Sequence, residues 1–107
     1  MQNLLNIKNH HDIAIIEMGA NHIGEIKTLC EICLPNFGYI TNFGLAHLEG
    51  FGGIKGVIKG KSELYEHLEK NQGTAFINPS DPIAVEKCNS KSLKFFKIVQ
   101  FFSHFYL

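Results

Sequence analysis

A chain of 107 residues has room for one hydrophobic core, burying roughly two thirds of its unfolded surface. Its 10 basic side chains balance 10 acidic ones, so no positive field draws it to nucleic acid or to an anionic membrane surface. Three cysteines, of which only Cys30 and Cys33 are close in sequence, suit reduced thiols rather than a disulfide framework.

The first residues, MQNLLNIKNHHD, lack the charged start and continuous apolar centre of a secretory signal, and a cytoplasmic setting is expected. Asp12 to Glu17, DIAIIE, is an unbroken apolar run and predicts a strand covered on both faces of a parallel sheet. Gly24 to Cys33 places Ile26, Leu29, Cys30 and Cys33 at helical spacing, with Glu25 in the first turn and Pro35 beyond the end. Phe37 to Thr41, FGYIT, is a second strand candidate, followed by a glycine-studded loop from Asn42 to Gly53. Ile54 to Lys70 carries Ile54, Val57, Ile58, Leu64, Tyr65 and Leu68 on one stripe, an amphipathic helix. Thr74 to Asn78, TAFIN, predicts a third strand after the Asn71-Gln72-Gly73 turn, and Pro82 to Cys88 starts a further helix.

Alternating strands and helices with short connections define an α/β chain with a mostly parallel sheet. Ligands of such sheets sit beyond the carboxyl ends of the strands, where Glu17, Asn42 and Asn78 fall. Glu17 is then either a residue emerging into a binding crevice or a solvated strand end.

Lys61 lies three residues after Ile58 and three before Leu64, so its stem shares the apolar stripe, whereas Lys55, Lys59 and Glu63 are expected on the opposite side. Two readings stand. The lysine snorkels, its stem packed and its ammonium in water. Alternatively, desolvation favours a neutral amine, which can add carbon dioxide to become an anionic carbamate suited to a magnesium site. Gly60-Lys61-Ser62 is not the end of a phosphate-binding loop, because the first glycine of that motif would fall at Lys55. For Cys30 and Cys33, core packing is favoured over zinc, since no further ligands are suitably spaced. His10, His11 and His67 are expected to be exposed, and His22 lies in the loop after Glu17.

Composition shifts near Cys88, dividing the chain into residues 1–88 and a Phe-rich tail, 89–107. The stretch SLKFFKIVQFFSHFYL is interrupted by Lys94, Lys97, Gln100 and His104 and is shorter than the ~20 apolar residues of a spanning helix. No membrane segment is expected.

The blocks IIEMGANHIGEI, PNFGYITNFGLAHLEGFGG and IKGKSELY, in that order, closely resemble the central, ATP-binding domain of the Mur ligase family, over about Asp12 to Asp81. The resemblance implies a partial three-layer, P-loop-NTPase-like sandwich. It also implies an ATP-dependent ligase that phosphorylates a carboxylate and lets an amine displace the phosphate. The EMGA segment is similar to the branch that joins D-alanyl-D-alanine to the UDP-N-acetylmuramoyl tripeptide, which would be substrates of the intact, monomeric enzyme. Carried over by the resemblance, Glu17 binds magnesium, His47 ligates a second magnesium ion, Lys61 is carbamylated by carbon dioxide, and Asn42 lines the ATP crevice. Histidine is an unusual ligand for so hard an ion and would equally suit manganese.

Met1 falls after the place where family members carry a G-x-x-G-K-[ST] phosphate loop, so the chain is expected to lack the first strand of the domain and to be inactive alone. Leu45 stands where a charged residue is commoner in the family, and Ser80 replaces an acid in Asn78-Pro79-Ser80-Asp81-Pro82, weakening any role for Asp81. The alternatives are a non-catalytic or decayed fragment, or a related ligase acting on another amino acid or on folate; EMGA argues against the last.

Overall fold

The computed structural model of the protein describes residues 13–43 and 52–98. In chain order these form α1 (Glu25–Cys33), β1 (Phe37–Tyr39), α2 (Ile54–Lys70), β2 (Thr74–Ile77), α3 (Pro82–Asn89) and β3 (Lys94–Lys97). The strands make a parallel sheet in the order β1-β2-β3, with Gly38 opposite Ala75 and Ala75 opposite Phe95. The α/β class read from the sequence holds.

Each crossover steps one strand in the same direction, so α2 and α3 share one face, touching each other and β2, and α1 packs along α2. That face holds the core: Ala75 and Ile77 from the sheet, Val57, Tyr65 and Leu68 from α2, and Ala84 and Cys88 from α3 are all buried. The backbone of β1 comes close to α2 at Gly38, where a Cβ would lie 2.8 Å from Leu68 Cδ1 and 2.9 Å from Leu64 Cδ2. The turn into β2 is as tight at Gly73, where a Cβ would meet the Asn36 carbonyl oxygen at 2.7 Å. That same carbonyl accepts the Thr74 N–H at 2.9 Å, starting the β1–β2 ladder.

The other face is aromatic. Phe37 stacks diagonally on Phe76, and Phe76 on Phe96 directly opposite it, with ring centroids 5.9 and 6.2 Å apart, and Lys94 Nζ sits 5.4 Å from the Phe96 ring. Phe37, Tyr39 and Phe96 are exposed, so the described residues supply two of the three layers of the expected sandwich.

Local signals explain the ends of the elements. At α1, Leu34 turns left-handed (φ 50°) and returns its N–H to Cys30 O before Pro35. At α3, Asp81 accepts N–H bonds from Ile83 and Ala84, and Pro82 occupies the first turn. Asp81 is therefore a helix cap.

Two expectations change. Of the run read as a strand from Asp12 to Glu17, the described part is not in a ladder: residues 13–20 have no regular secondary structure, and Ile13 and Ile15 are 81% and 85% exposed. An all-apolar strand is stable only with both faces covered, and here helices cover one face of the sheet. What remains is an alternation in which Ile16, Met18 and Ala20 are partly buried while Ile15, Glu17 and Gly19 face solvent. Within the segment read as a tail, Lys94–Lys97 pairs with β2 as β3, and Ile98 N–H bonds Ile77 O at 2.8 Å.

Candidate functional site

The helix α2 is the centre of the site because it is contacted from three directions, by α1, by the sheet and by α3. Its buried positions therefore exceed one stripe and include Gly56, Gly60, Ser62 and Glu63.

Lys61 is partly buried, and its Nζ donates to the backbone carbonyl of Asn42 at 3.2 Å. Asn42 lies just beyond β1, at the carboxyl end of the strand, so the structure brings these two sequence-predicted residues together at the edge where ligands of parallel sheets bind. The stem of Lys61 shares the side of α2 that meets the sheet, as the spacing required, and the amine reaches the strand end.

Glu17 is exposed and lines a shallow depression with Gly19, Ile23, Gly24, Glu25, Thr28 and Leu29. Neither Lys61 nor Asn42 lines it. His47 lies outside the described residues, as do Leu45, His10 and His11. Among the described residues no group of three or more His, Cys, Asp and Glu side chains is placed to hold a metal ion.

The turn after Glu17 is held by two carboxylates. Glu25 Oε1 accepts the N–H groups of Asn21 at 2.7 Å and His22 at 2.6 Å, and lies 3.3 Å from His22 Nδ1. The backbone donation from Asn21 is the chief cause that lowers the Glu25 pKa, with His22 adding to it.

Glu63 holds the next segment. It was expected on the solvent side of α2, yet it is buried: Oε2 accepts Gly24 N–H at 2.8 Å and Oε1 accepts Lys27 N–H at 3.0 Å. The reason is tertiary, because that side of α2 faces α1. One sequence signal was available: Gly24 begins a helix without a side chain to cap it, so its free N–H groups need an acceptor from elsewhere.

The cysteines are free; Cys30 and Cys88 are buried and Cys33 is partly so, in keeping with core packing. His67 is partly buried rather than exposed, with Asn71 Nδ2 3.2 Å from its Nδ1.

An α/β sheet with a lysine presented at a strand end does not by itself name a family, and the comparisons with known proteins do. Residues 1–104 match the Mur ligase middle domain, and the chain belongs to the Mur ligase family. It is 47% identical over 75 residues to the UDP-N-acetylmuramoyl-tripeptide--D-alanyl-D-alanine ligase of Haemophilus influenzae, covering 70% of this chain and 16% of that one. The Escherichia coli ligase of the same name is 43% identical over 75 residues, again 70% of this chain and 16% of the relative. The Rickettsia prowazekii ligase is 36% identical over 95 residues, 89% of this chain and 20% of the relative. Among solved structures, MurF from Acinetobacter baumannii superposes with a TM-score of 0.77 at 37% identity, covering 90% of this chain and 21% of that chain. The chain thus spans about a fifth or less of the length of these relatives.

Proposed function

We propose that this chain is part of the middle domain of an ATP-dependent ligase that joins D-alanyl-D-alanine to the UDP-N-acetylmuramoyl tripeptide in the synthesis of peptidoglycan precursors in the cytoplasm. In this reading the tripeptide carboxylate accepts the γ-phosphoryl group of ATP, giving an acyl phosphate. The amine of D-alanyl-D-alanine then attacks that carbonyl and phosphate leaves. Catalysis of this kind rests on positioning and on neutralising the phosphates. The observation that carries the reading is Lys61, held against the Asn42 carbonyl at the strand end within the span that matches the Mur ligase middle domain.

The donor types suit a hard divalent ion, but among the described residues Glu17 and Lys61 are not gathered at one site. Glu17 offers carboxylate oxygens, and a carbamate on Lys61 would add two more; His47 would be a third ligand. Magnesium, when bound, would neutralise phosphate charge. The residues of the chain do the rest: Lys61 adds carbon dioxide at Nζ, forming one N–C bond as N–H protons are released to solvent, and Asn42 fixes where that nitrogen sits. The exposed Ile13 and Ile15 and the bare aromatic sheet face favour a role inside a larger domain over an isolated module.

The test is carbon-13 NMR of the protein in labelled bicarbonate near neutral pH. A carbamate resonance is expected in the wild-type chain and is lost in Lys61→Met. Absence of the resonance in the wild type, or its persistence in Lys61→Met, refutes the role given to Lys61.

A further inference from the structure

Lys55, Lys59, Ser62 and Glu66 recur every three or four residues along α2, so they share one side of the helix, and all four line the groove that α2 makes with α3. From α3 come Ile83, Glu86 and Lys87, and Lys91 follows just beyond its end. The groove holds about 440 Å³, within the range of roughly 300–1,000 Å³ usual for small-molecule sites. Glu17, Asn42 and Lys61 do not line it, so it stands independently of the function proposed for them.

Four ammonium groups against two carboxylates leave the groove with an excess of two positive charges, although the chain as a whole is neutral. Among the described residues the only ion pair is that of His22 with Glu25, so neither glutamate of the groove neutralises a lysine there. Lys55 and Lys59 stand four residues apart, as do Lys87 and Lys91, the spacing at which like charges on a helix repel. The dipole of α3 favours Lys87 in its last turn; Lys55 is in the first turn of α2, where the dipole opposes a cation and no acidic residue offsets it. Ser62 adds a second, independent sign. It is 4% exposed, and its hydroxyl has no hydrogen-bond partner among the described residues. Such a hydroxyl is costly to bury, and an oxyanion is the acceptor it lacks. Ile58 and Ile83, both partly buried, give the same groove an apolar surface.

We propose that the groove between α2 and α3 binds an organic phosphate. Its phosphoryl oxygens are met by the lysines and by the Ser62 hydroxyl, and its carbon body lies on Ile58 and Ile83. A phosphate monoester carries close to two negative charges at neutral pH, which matches the excess of the groove, and lysine meets it as a point charge. A bare phosphate ion would leave the isoleucines uncovered, and an apolar ligand would leave the lysines and the hydroxyl unmet.

The experiment titrates the whole nitrogen-15-labelled chain with phenyl phosphate, inorganic phosphate and phenol, following backbone amides by NMR. Phenyl phosphate is expected to shift Ile58, Ser62, Ile83 and Lys87 saturably while Gly24 and Phe96 stay unmoved, with inorganic phosphate binding more weakly at the same amides and phenol without effect. Lys59→Gln combined with Lys87→Gln, and separately Ser62→Ala, should each weaken phenyl phosphate roughly tenfold, the size of a lost hydrogen bond to a charged group. Lys70→Gln, an exposed lysine of α2 outside the groove, should leave it unchanged. The absence of a saturable shift at the groove amides overturns the proposal. So does a loss in Lys70→Gln equal to that of the Lys59 and Lys87 pair, which reports attraction to surface charge alone, or wild-type affinity in Ser62→Ala. Inorganic phosphate or phenol binding as tightly as phenyl phosphate overturns it too, the first by showing a site for a free anion and the second by showing an apolar cleft.

Discussion

Replacing Tyr65 by phenylalanine should stabilise the protein, against the usual sign for a core substitution. The Tyr65 ring is fully buried, edge-on to Phe43 at 6.3 Å between centroids, and Phe keeps all of that packing. Among the described residues its buried hydroxyl has no nitrogen or oxygen partner and faces only the Cys88 thiol, a weak hydrogen-bonding group. A buried hydroxyl without a partner costs about 1–3 kcal/mol in desolvation. Removing one oxygen forfeits contacts worth only a few tenths of a kcal/mol, about 0.1–0.2 per atom pair. The net gain is about 1 kcal/mol, or about 4–8 °C in Tm for a domain of this size. Thermal and urea unfolding of the two proteins measure it. A loss of about 1 kcal/mol or more, the size of one net hydrogen bond, would refute the reasoning and show that the hydroxyl is well paired. The pH dependence is a second reading of the same group. Burial raises the Tyr65 pKa above the ordinary phenol value, with Cys88 and Asp81 adding to the shift. The folded form thus resists ionisation: its stability contribution is complete below the unfolded pKa and falls as pH rises beyond it, a fall that Tyr65→Phe lessens.

Asp81→Ala should cost about 1 kcal/mol, because the N–H groups of Ile83 and Ala84 lose their acceptor at the start of α3; urea unfolding checks it, and Asp81→Asn should recover most of the loss. The Cys30 thiol is pushed up to about 11, first by burial and then by the nearby Cys33, Glu63 and Glu31, so in the native protein at pH 8 iodoacetamide should label Cys33 well before Cys30, a difference that urea removes. By the same linkage, stability carried by Cys30 is whole below the ordinary thiol value and is lost as pH rises toward 11.

The local grammar of this chain was legible in its residues. Ile54–Lys70 reads as a helix because its apolar spacing is sustained over several turns, and Thr74–Ile77 reads as a strand because a short apolar run follows an Asn-Gln-Gly turn. Pro82 marks a helix start in the sequence, and the structure adds Asp81 as its cap. The same spacing put Lys61 on the sheet side of α2, where it meets Asn42. Family membership was legible too, since three blocks in a fixed order are a one-dimensional signal.

Tertiary packing decided the rest. The apolar run DIAIIE has the composition of a central strand, but whether it pairs depends on a free sheet edge and a covering layer, neither of which a sequence window contains. KFFK in β3 is two adjacent aromatics between two charges, too short to announce a strand, and becomes one because β2 offers its edge. Glu63 looks like one more solvated charge on an amphipathic helix; it is buried because a different helix begins against it with unmet N–H groups. Spacing along a chain fixes which side of its own helix a residue takes. Which neighbour waits on that side is a property of the assembled fold.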